Sequence, residues 1–197
     1  MEKAKILFLD IDGVLNCNRY SEDIYYDGDK QSGDLVAPAV PICKSCYEAL
    51  ETIAKNVPEL KVVWSTDWRI HPRETSVNGW KNPLAWIEDN CEFLKGKIAS
   101  KTPKKMSSTR PEEIRMWLSW NEYSKRHCPD ADEQDDIFDI KGFAVLDDYG
   151  TNAMYSWFGC HFFKTWYDTG LTSHQAMQVV RCLNADGYSK TLFTTTD

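Results

Sequence analysis

Two carboxylates separated by a single residue lie in the stretch FLDIDGVLN near the start of the chain. Asp10 and Asp12 follow an apolar run, with Ile11 between them and Gly13 directly after. Carboxylates this close repel one another unless a cation or a proton reduces their charge. On its own the stretch fits a metal site, a nucleophile with its acid/base partner, or a polar turn, since Asp and Gly also favour turns.

Polar residues follow two further apolar runs in the same way. The run LKVVW precedes Ser65 and Thr66, and the run GFAVL precedes Asp147 and Asp148. Short continuous apolar runs are typical of strands that are covered on both faces. The sequence therefore predicts three buried strands whose carboxyl ends carry carboxylates or hydroxyls, and a shorter fourth strand at CHFFKT.

Helical patterns separate these strands. Apolar residues recur at helix spacing between Cys46 and Ala54, and again in RPEEIRMWLSWNEY. Thr172 and Gln175 have the spacing of a capping box and open a last helix. Strands alternating with helices predict an α/β fold, with a doubly wound, Rossmann-like, mostly parallel sheet and helices on both faces. We expect one domain without a large cap over 1–190, with loop insertions near 17–41, 68–83 and 124–141 and a flexible tail at 191–197.

The predicted topology brings the polar strand ends together. Carboxyl ends of parallel strands meet at one edge, where open α/β sheets bind their ligands. Four carboxylates there would repel one another, and a hard cation with oxygen ligands, Mg²⁺ above all, would relieve this. Such a set supports phosphoryl transfer by a nucleophilic aspartate, with a hydroxyl and a cation on the phosphoryl oxygens and a second carboxylate moving protons. The residues concerned are Asp10, Asp12, Ser65, Asp147, Asp148 and Arg110, which opens the helix before the third strand.

The order DIDGVLN, VVWSTDWR, a basic residue opening a helix, and VLDD resembles the haloacid dehalogenase-like (HAD) superfamily. The stretches STDWR, RPEEIRMWL and TGLT resemble a small HAD domain family associated with predicted RNA-repair (Swiss Army Knife) proteins. The resemblance covers nearly the whole chain. It implies a HAD-like fold and a Mg²⁺-dependent phosphatase that works through an aspartyl-phosphate.

The resemblance also implies a role for each matching residue. It makes Asp10 the nucleophile and a Mg²⁺ ligand. It makes Asp12 the general acid/base, whose backbone carbonyl also binds the metal. Ser65 would bind the transferring phosphoryl group. Asp148 would bind Mg²⁺ directly, and Asp147 directly or through a water molecule.

Further contacts are expected close to this set. Arg110 would take the place of the family's basic residue, with Lys101, Lys104 and Lys105 as alternatives nearby. Thr66, Trp68 and Arg69 follow the second strand and are candidates for substrate binding, with the Arg69 guanidinium on a phosphate or acidic group. The alternative interpretation is that Trp68 packs in the core and Arg69 forms a salt bridge. An open site without a cap would admit a phosphorylated small molecule or a nucleic-acid phosphate end.

Two alternatives from other functional classes stay open. A receiver-like phosphorylatable signalling module also uses an acidic pair, an acceptor aspartate, a hydroxyl residue and a basic residue. The acceptor in that class lies alone on a middle strand, which the order found here does not match. A non-catalytic HAD-like binding protein would keep the fold without turnover.

Charge, hydropathy and cysteine content exclude several classes of protein. The net charge is −7, so the molecule as a whole repels polyanions and tight general nucleic-acid binding is not expected. Apolar stretches of membrane-helix length and a signal-peptide pattern are absent from the sequence, so we expect a cytoplasmic protein without a membrane or obligate protein partner. The seven cysteines are odd in number and scattered, which argues against a disulfide framework. Cys43 and Cys46 form a lone CxxC, interpreted as thiols without a metal or redox role.

Overall fold

The fold is described from a computed structural model, which covers residues 1–18, 42–72, 74–75, 80–127 and 137–185. The predicted insertion near 17–41 falls largely outside these ranges, the one near 124–141 falls half outside them, at 128–136, and the predicted tail at 191–197 falls wholly outside them. Among the helices within these ranges, none is long and apolar enough to cross a membrane.

Strands and helices alternate along most of the described chain. The strands are β1 (Glu2–Leu9), β2 (Leu60–Trp64), β3 (Glu74–Thr75), β4 (Trp80–Lys81), β5 (Ile98–Lys101), β6 (Phe138–Asp147) and β7 (Phe162–Lys164). The helices are α1 (Lys44–Asn56), α2 (Pro83–Asn90), α3 (Arg110–His127), α4 (Asn152–Phe158) and α5 (Ser173–Asn184). Short 3₁₀ turns lie at Asp67–Ile70, Glu92–Leu94 and Gly159–His161.

Five of the strands form one parallel sheet in the order β5-β2-β1-β6-β7. β1 is central and pairs with β2 on one side and with β6 on the other. β3 and β4 form a separate antiparallel pair. The predicted α/β fold with a mostly parallel, Rossmann-like sheet is therefore confirmed, and the described residues contain no large cap domain.

Helices cover both faces of this sheet, which explains the continuous apolar runs in its central strands. Leu7 and Leu9 of β1 pack in the cluster that contains the buried residues of α1 and α5. Ile6 and Phe8 point the other way and pack with the buried residues of α3 and α4. Because successive side chains of a strand point to opposite faces, a strand covered on both sides has no polar position to spare.

Two regular elements of the sheet layer were not anticipated from the sequence. β5 has only four residues, IASK, at the sheet edge, and a strand this short and this polar has no periodicity to detect. α2 does have a start signal, since the Asn82 side chain accepts a hydrogen bond from the Leu84 N–H and Pro83 occupies the first turn. The predicted loop near 68–83 thus ends at the N-cap of a helix.

Candidate active site

The carboxyl ends of β1, β2 and β6 meet at one edge of the sheet. Leu9 at the end of β1 pairs with Trp64 of β2 and with Leu146 of β6. Hydrogen bonds continue this register by one residue, from the Asp10 N–H to the Leu146 carbonyl (3.0 Å) and from the Ser65 N–H to the Leu9 carbonyl (2.9 Å). The polar residues that follow the three strands therefore lie side by side.

Three carboxylates converge at this edge. One oxygen of each of Asp10, Asp147 and Asp148 lies within 4.8 Å of the others. Asp10 and Asp147 are buried, and Asp148 is partly exposed. Arg110, the first residue of α3, lies between the two buried carboxylates, with Nη1 at 3.3 Å from Asp10 Oδ2 and 3.2 Å from Asp147 Oδ2. α3 thus delivers a cation to the carboxylates of the sheet.

Burial dominates the protonation behaviour of this cluster. It raises the pKa of Asp10 to about 6, against the opposing effects of Arg110, the Thr66 side chain and the Ile11 N–H, which donates to Asp10 Oδ1 at 2.7 Å. Burial and the neighbouring Asp10 raise the pKa of Asp147 to about 8. Burial also raises the pKa of Asp148. One guanidinium is therefore too little positive charge for these carboxylates.

The donor set fits a hard divalent cation. Asp10, Asp147 and Asp148 offer only oxygen ligands, and their separation is compatible with one ion coordinated by several carboxylates. Burial favours protonation of these carboxylates when no ion is bound. A divalent ion would neutralise their negative charge in place of the protons. The residues present therefore fit the Mg²⁺ that the HAD resemblance implies.

Asp12 is held apart from this trio by two hydrogen bonds. The Asn16 side-chain amide donates to Asp12 Oδ1 at 2.8 Å, and the Trp68 indole N–H donates to Asp12 Oδ2 at 2.9 Å. The Asn16 oxygen in turn accepts from the Gly13 N–H at 2.8 Å, which closes the turn after β1. Trp68 was expected to bind substrate, yet its one polar atom is committed to Asp12. The sequence alone assigns no role to Asn16, whose amide the structure places on Asp12.

Gly13 makes the close packing of this turn possible. Its φ is +67°, in the region where side chains are strained. A Cβ at this position would lie 2.3 Å from Asp148 Oδ2. The glycine therefore serves both the direction of the turn and the approach of the Asp148 carboxylate to the backbone of the motif.

The two hydroxyl residues after β2 differ in their surroundings. Thr66 is buried and its oxygen accepts from the Trp68 N–H at 3.4 Å, while its side chain also hydrogen-bonds to Asp10. Ser65 is fully buried, and its Oγ has no hydrogen-bond partner among the described residues. A buried hydroxyl without a partner is costly in a folded protein unless a ligand or water satisfies it. Of the two hydroxyls, Ser65 is thus the one with capacity for a ligand oxygen.

Arg69 is buried and its guanidinium is surrounded by hydrogen-bond acceptors. Its guanidinium donates to the carbonyls of Thr66 and Thr102 and pairs with the Glu113 carboxylate. The side chains of Arg69 and Glu113 are each only 1% exposed. A guanidinium whose donors are used this way beneath the surface does not grip a substrate phosphate. Of the two interpretations of Arg69, the structure favours the salt bridge, and the buried Glu113 of α3 is its partner.

A cleft of about 290 Å³ lies at this edge of the sheet, beside the carboxylates. Arg110 contacts Asp10 and Asp147, whereas Lys104 pairs with Glu113 at 3.2 Å and Lys101 donates to the Arg69 carbonyl at 3.1 Å. The geometry thus favours Arg110 over the nearby lysines as the basic residue of the site. The lining residues are Asp10, Asp12, Asp67, Lys104, Arg110, Glu113, Asp148 and Tyr149.

The sequence of the chain also matches a known family. A family model described as the HAD domain in Swiss Army Knife RNA repair proteins matches residues 6–176. The match includes every strand end described above. No curated protein and no solved structure matched the chain. The chain therefore belongs to the family of HAD domains found in Swiss Army Knife RNA repair proteins, within the HAD hydrolase superfamily.

Proposed function

We propose that the protein is a Mg²⁺-dependent phosphomonoester hydrolase that works through an aspartyl-phosphate on Asp10. The observation that carries this proposal is the convergence of Asp10, Asp147 and Asp148 around Arg110, with Asp12 held two residues beyond the nucleophile. The carboxylates of the site would repel a dianionic phosphate. A metal ion that contacts both the carboxylates and the phosphate removes this repulsion.

In the first half-reaction, a carboxylate oxygen of Asp10 attacks the phosphorus of the monoester. The bond from phosphorus to the ester oxygen breaks, and Asp12 in its protonated form gives its proton to the departing alkoxide. The hydrogen bonds from Asn16 and Trp68 fix the orientation of the Asp12 carboxylate for this transfer. The products of this half-reaction are an alcohol and a phosphorylated Asp10.

In the second half-reaction, Asp12 acts in the opposite direction. Its carboxylate takes a proton from a water molecule, whose oxygen attacks the phosphorus of the acyl phosphate. The bond between phosphorus and the Asp10 oxygen breaks, inorganic phosphate forms, and Asp10 is restored. Asp12 ends protonated and ready for the next cycle, so protons and charges balance over one turnover.

Charge stabilisation falls to the residues around the nucleophile. Arg110 is close enough to Asp10 to hold it ionised and to contact phosphoryl oxygens when a substrate is present. Ser65, with its unsatisfied Oγ, is suited to donate to one phosphoryl oxygen. Asp10, Asp147, Asp148 and the Asp12 carbonyl would hold Mg²⁺, which when bound supplies Lewis-acid neutralisation of phosphoryl charge.

For the substrate, we propose a nucleotide or a nucleic-acid phosphate end. The family description refers to RNA repair proteins, and the described residues place no large cap over the cleft. Lys104 and Arg110 place two cations among the acidic residues that line the cleft. A terminal phosphate on a larger molecule would reach such a cleft without being enclosed.

The test is phosphate release from p-nitrophenyl phosphate, nucleotides, and 3′- and 5′-phosphorylated oligonucleotides, each with Mg²⁺ and with a chelator. We expect Mg²⁺-dependent turnover that Asp10→Asn abolishes and that Asp89→Asn, an exposed carboxylate of α2, leaves unchanged. Turnover of Asp10→Asn at the wild-type rate would overturn the mechanism. Retention of phosphoryl label on Asp10 without turnover would favour a signalling module instead.

A further inference from the structure

Three buried cysteines form a second cluster, which offers sulfur ligands where the carboxylate cleft offers oxygen ligands. The sulfur atoms of Cys17, Cys43 and Cys46 all lie within 4.8 Å of one another. The Sγ atoms of Cys17 and Cys43 are 3.0 Å apart. None of the three residues is more than 1% exposed. The CxxC of Cys43 and Cys46, which the sequence alone did not favour as a metal site, thus gains a third sulfur from a distant part of the chain.

The trio joins the loop of the candidate active site to the start of α1. Cys17 follows the turn that begins at Asp10, and the Cys43 N–H donates to the Leu15 carbonyl at 2.9 Å. Cys43 is the N-cap of α1 without a side-chain cap hydrogen bond, and Cys46 lies in its first turn. In the metal-free protein, the hydrogen bond with Cys46 and burial raise the pKa of the Cys43 thiol. A bound cation would displace this proton, and the partial positive charge at the amino end of α1 would then stabilise the thiolates.

We propose that Cys17, Cys43 and Cys46 bind one thiophilic cation of the Zn²⁺ type. Thiolates are the ligands that select such soft cations, whereas the oxygen cluster at Asp10 selects hard ones. At a Zn–S distance of about 2.3 Å, two sulfurs of a tetrahedral site lie about 3.8 Å apart. The three sulfurs lie within 4.8 Å of one another, which is close to this separation, and the Cys17 and Cys43 sulfurs, 3.0 Å apart, would have to separate by about 0.8 Å.

Two backbone carbonyl oxygens border the trio. The Cys17 carbonyl oxygen is 3.8 Å from Cys43 Sγ, and the Thr169 carbonyl oxygen is 3.8 Å from Cys46 Sγ. The three sulfurs leave the fourth position of a tetrahedral site to such an oxygen or to a water molecule. On binding, each thiol releases its proton to solvent, so the ion and three thiolates carry a net charge of −1, which the start of α1 stabilises.

The bound ion would tie two distant segments together. Cys17 follows the turn that carries Asp10 and Asp12, and Cys43 is the N-cap of α1, so a shared ion fixes this turn against the start of the helix. Because the folded protein assembles the site and the unfolded chain does not, the ion stabilises the fold by mass action.

The experiment uses the full chain, reduced and metal-free, with excess Mg²⁺ to occupy the carboxylate cleft. Co²⁺ is titrated while near-ultraviolet absorption is followed, because charge-transfer bands from sulfur to Co²⁺ arise from thiolate ligands and not from carboxylates. We expect one equivalent of Co²⁺ to give these bands and Zn²⁺ to remove them. Cys17→Ser, Cys43→Ser and Cys46→Ser should each weaken binding at least tenfold. Cys91→Ser, also buried but outside the trio, should not.

A second measurement does not depend on the variants folding. Wild-type protein is treated with iodoacetamide after partial denaturation, with and without Zn²⁺, and the modified cysteines are mapped by mass spectrometry. Selective protection of Cys17, Cys43 and Cys46 supports the site. Absence of charge-transfer bands in folded wild-type protein overturns it. A Cys17–Cys43 disulfide that persists in the reduced preparation also overturns it. Such a disulfide would lower the intact mass of the protein by two hydrogens.

Discussion

Trp68 donates its indole N–H to Oδ2 of Asp12 over 2.9 Å, so the proposed acid/base carboxylate is oriented by a residue of the next strand end. Asn16 holds the other oxygen from within the same turn. The carboxylate is thus fixed from both sides, as expected for a group that must meet a proton at a defined position.

Replacing Trp68 with Phe should remove this orientation without emptying the space. A hydrogen bond to a charged group contributes roughly 1.5–3 kcal/mol, so we expect kcat to fall by about tenfold or more. KM should change little, because the indole N–H serves Asp12 and not the substrate. Steady-state kinetics with p-nitrophenyl phosphate measure both, and Trp157→Phe on α4 serves as the control. A raised KM with an unchanged kcat would return Trp68 to the role of a substrate contact.

Alanine substitutions at Gly13 and Gly96 distinguish the cost of backbone strain from the cost of a steric clash at the site. Gly13 and Gly96 have nearly equal φ values, +67° and +70°, but a Cβ at Gly96 would meet nothing within 4 Å. Replacement by Ala at either position should cost about 1–2 kcal/mol of unfolding free energy from the left-handed backbone. Only Gly13→Ala should displace Asp148 and lower Mg²⁺-dependent turnover by 100-fold or more. Urea denaturation and turnover assays on both variants make the comparison, and equal loss of activity in both would contradict it.

The sequence was sufficient for the sheet and for the carboxylates at its edge. β1, β2 and β6 are continuous apolar runs, because both faces of the sheet are covered, and the polar residues after them had to meet once the strands were parallel. The helix face of α3 was also readable, and Asn121 on that face bonds to both backbone groups of Phe138 at the start of β6. Here local pattern and topology together determined the outcome.

What the sequence could not supply was the partner of each buried polar group. Trp68 and Arg69 are neighbours in the same 3₁₀ turn, yet one holds Asp12 and the other pairs with Glu113 on α3. Their spacing alone does not distinguish these fates from substrate binding, because both depend on elements far away in the chain. The same holds for Cys17, whose proximity to Cys43 depends on how residues 10–17 turn after β1.

The Arg69–Glu113 pair should contribute to stability and not to substrate affinity. Removing one partner of a buried ion pair typically costs about 3–5 kcal/mol. Arg69→Met leaves the buried Glu113 carboxylate to the partly exposed Lys104 at 3.2 Å, a weaker compensation than the buried guanidinium. We therefore expect Arg69→Met to lower the urea midpoint strongly, and Arg69→Met combined with Glu113→Leu to recover part of that loss. The control is Lys55→Met, which breaks an exposed pair with Glu51 and should change the midpoint little. A stable Arg69→Met variant with a greatly raised KM would contradict this assignment.

The raised pKa values of Asp10 and Asp147 predict how pH and Mg²⁺ act together on stability. Both groups bind protons more tightly in the folded state than at their ordinary value of 3.8. Their contribution to the stability of the metal-free protein is therefore complete below about pH 4 and is lost as pH rises towards about 8. Protons and Mg²⁺ compete for the same oxygens, so Mg²⁺ should raise the melting temperature more at pH 8 than at pH 5.

Asp147→Asn isolates this effect from the other titrating groups of the chain. Without Mg²⁺ at pH 8 the variant should be more stable than the wild type, by on the order of 1–3 kcal/mol, because no buried carboxylate remains there to ionise. At pH 5 the two proteins should differ much less, since Asp147 is then protonated. The variant should also lose most of the Mg²⁺-induced rise in melting temperature. Thermal denaturation of both proteins at the two pH values, with Mg²⁺ or a chelator, provides the measurement. An equal response of wild type and variant to Mg²⁺ would show that Asp147 does not belong to the cation site.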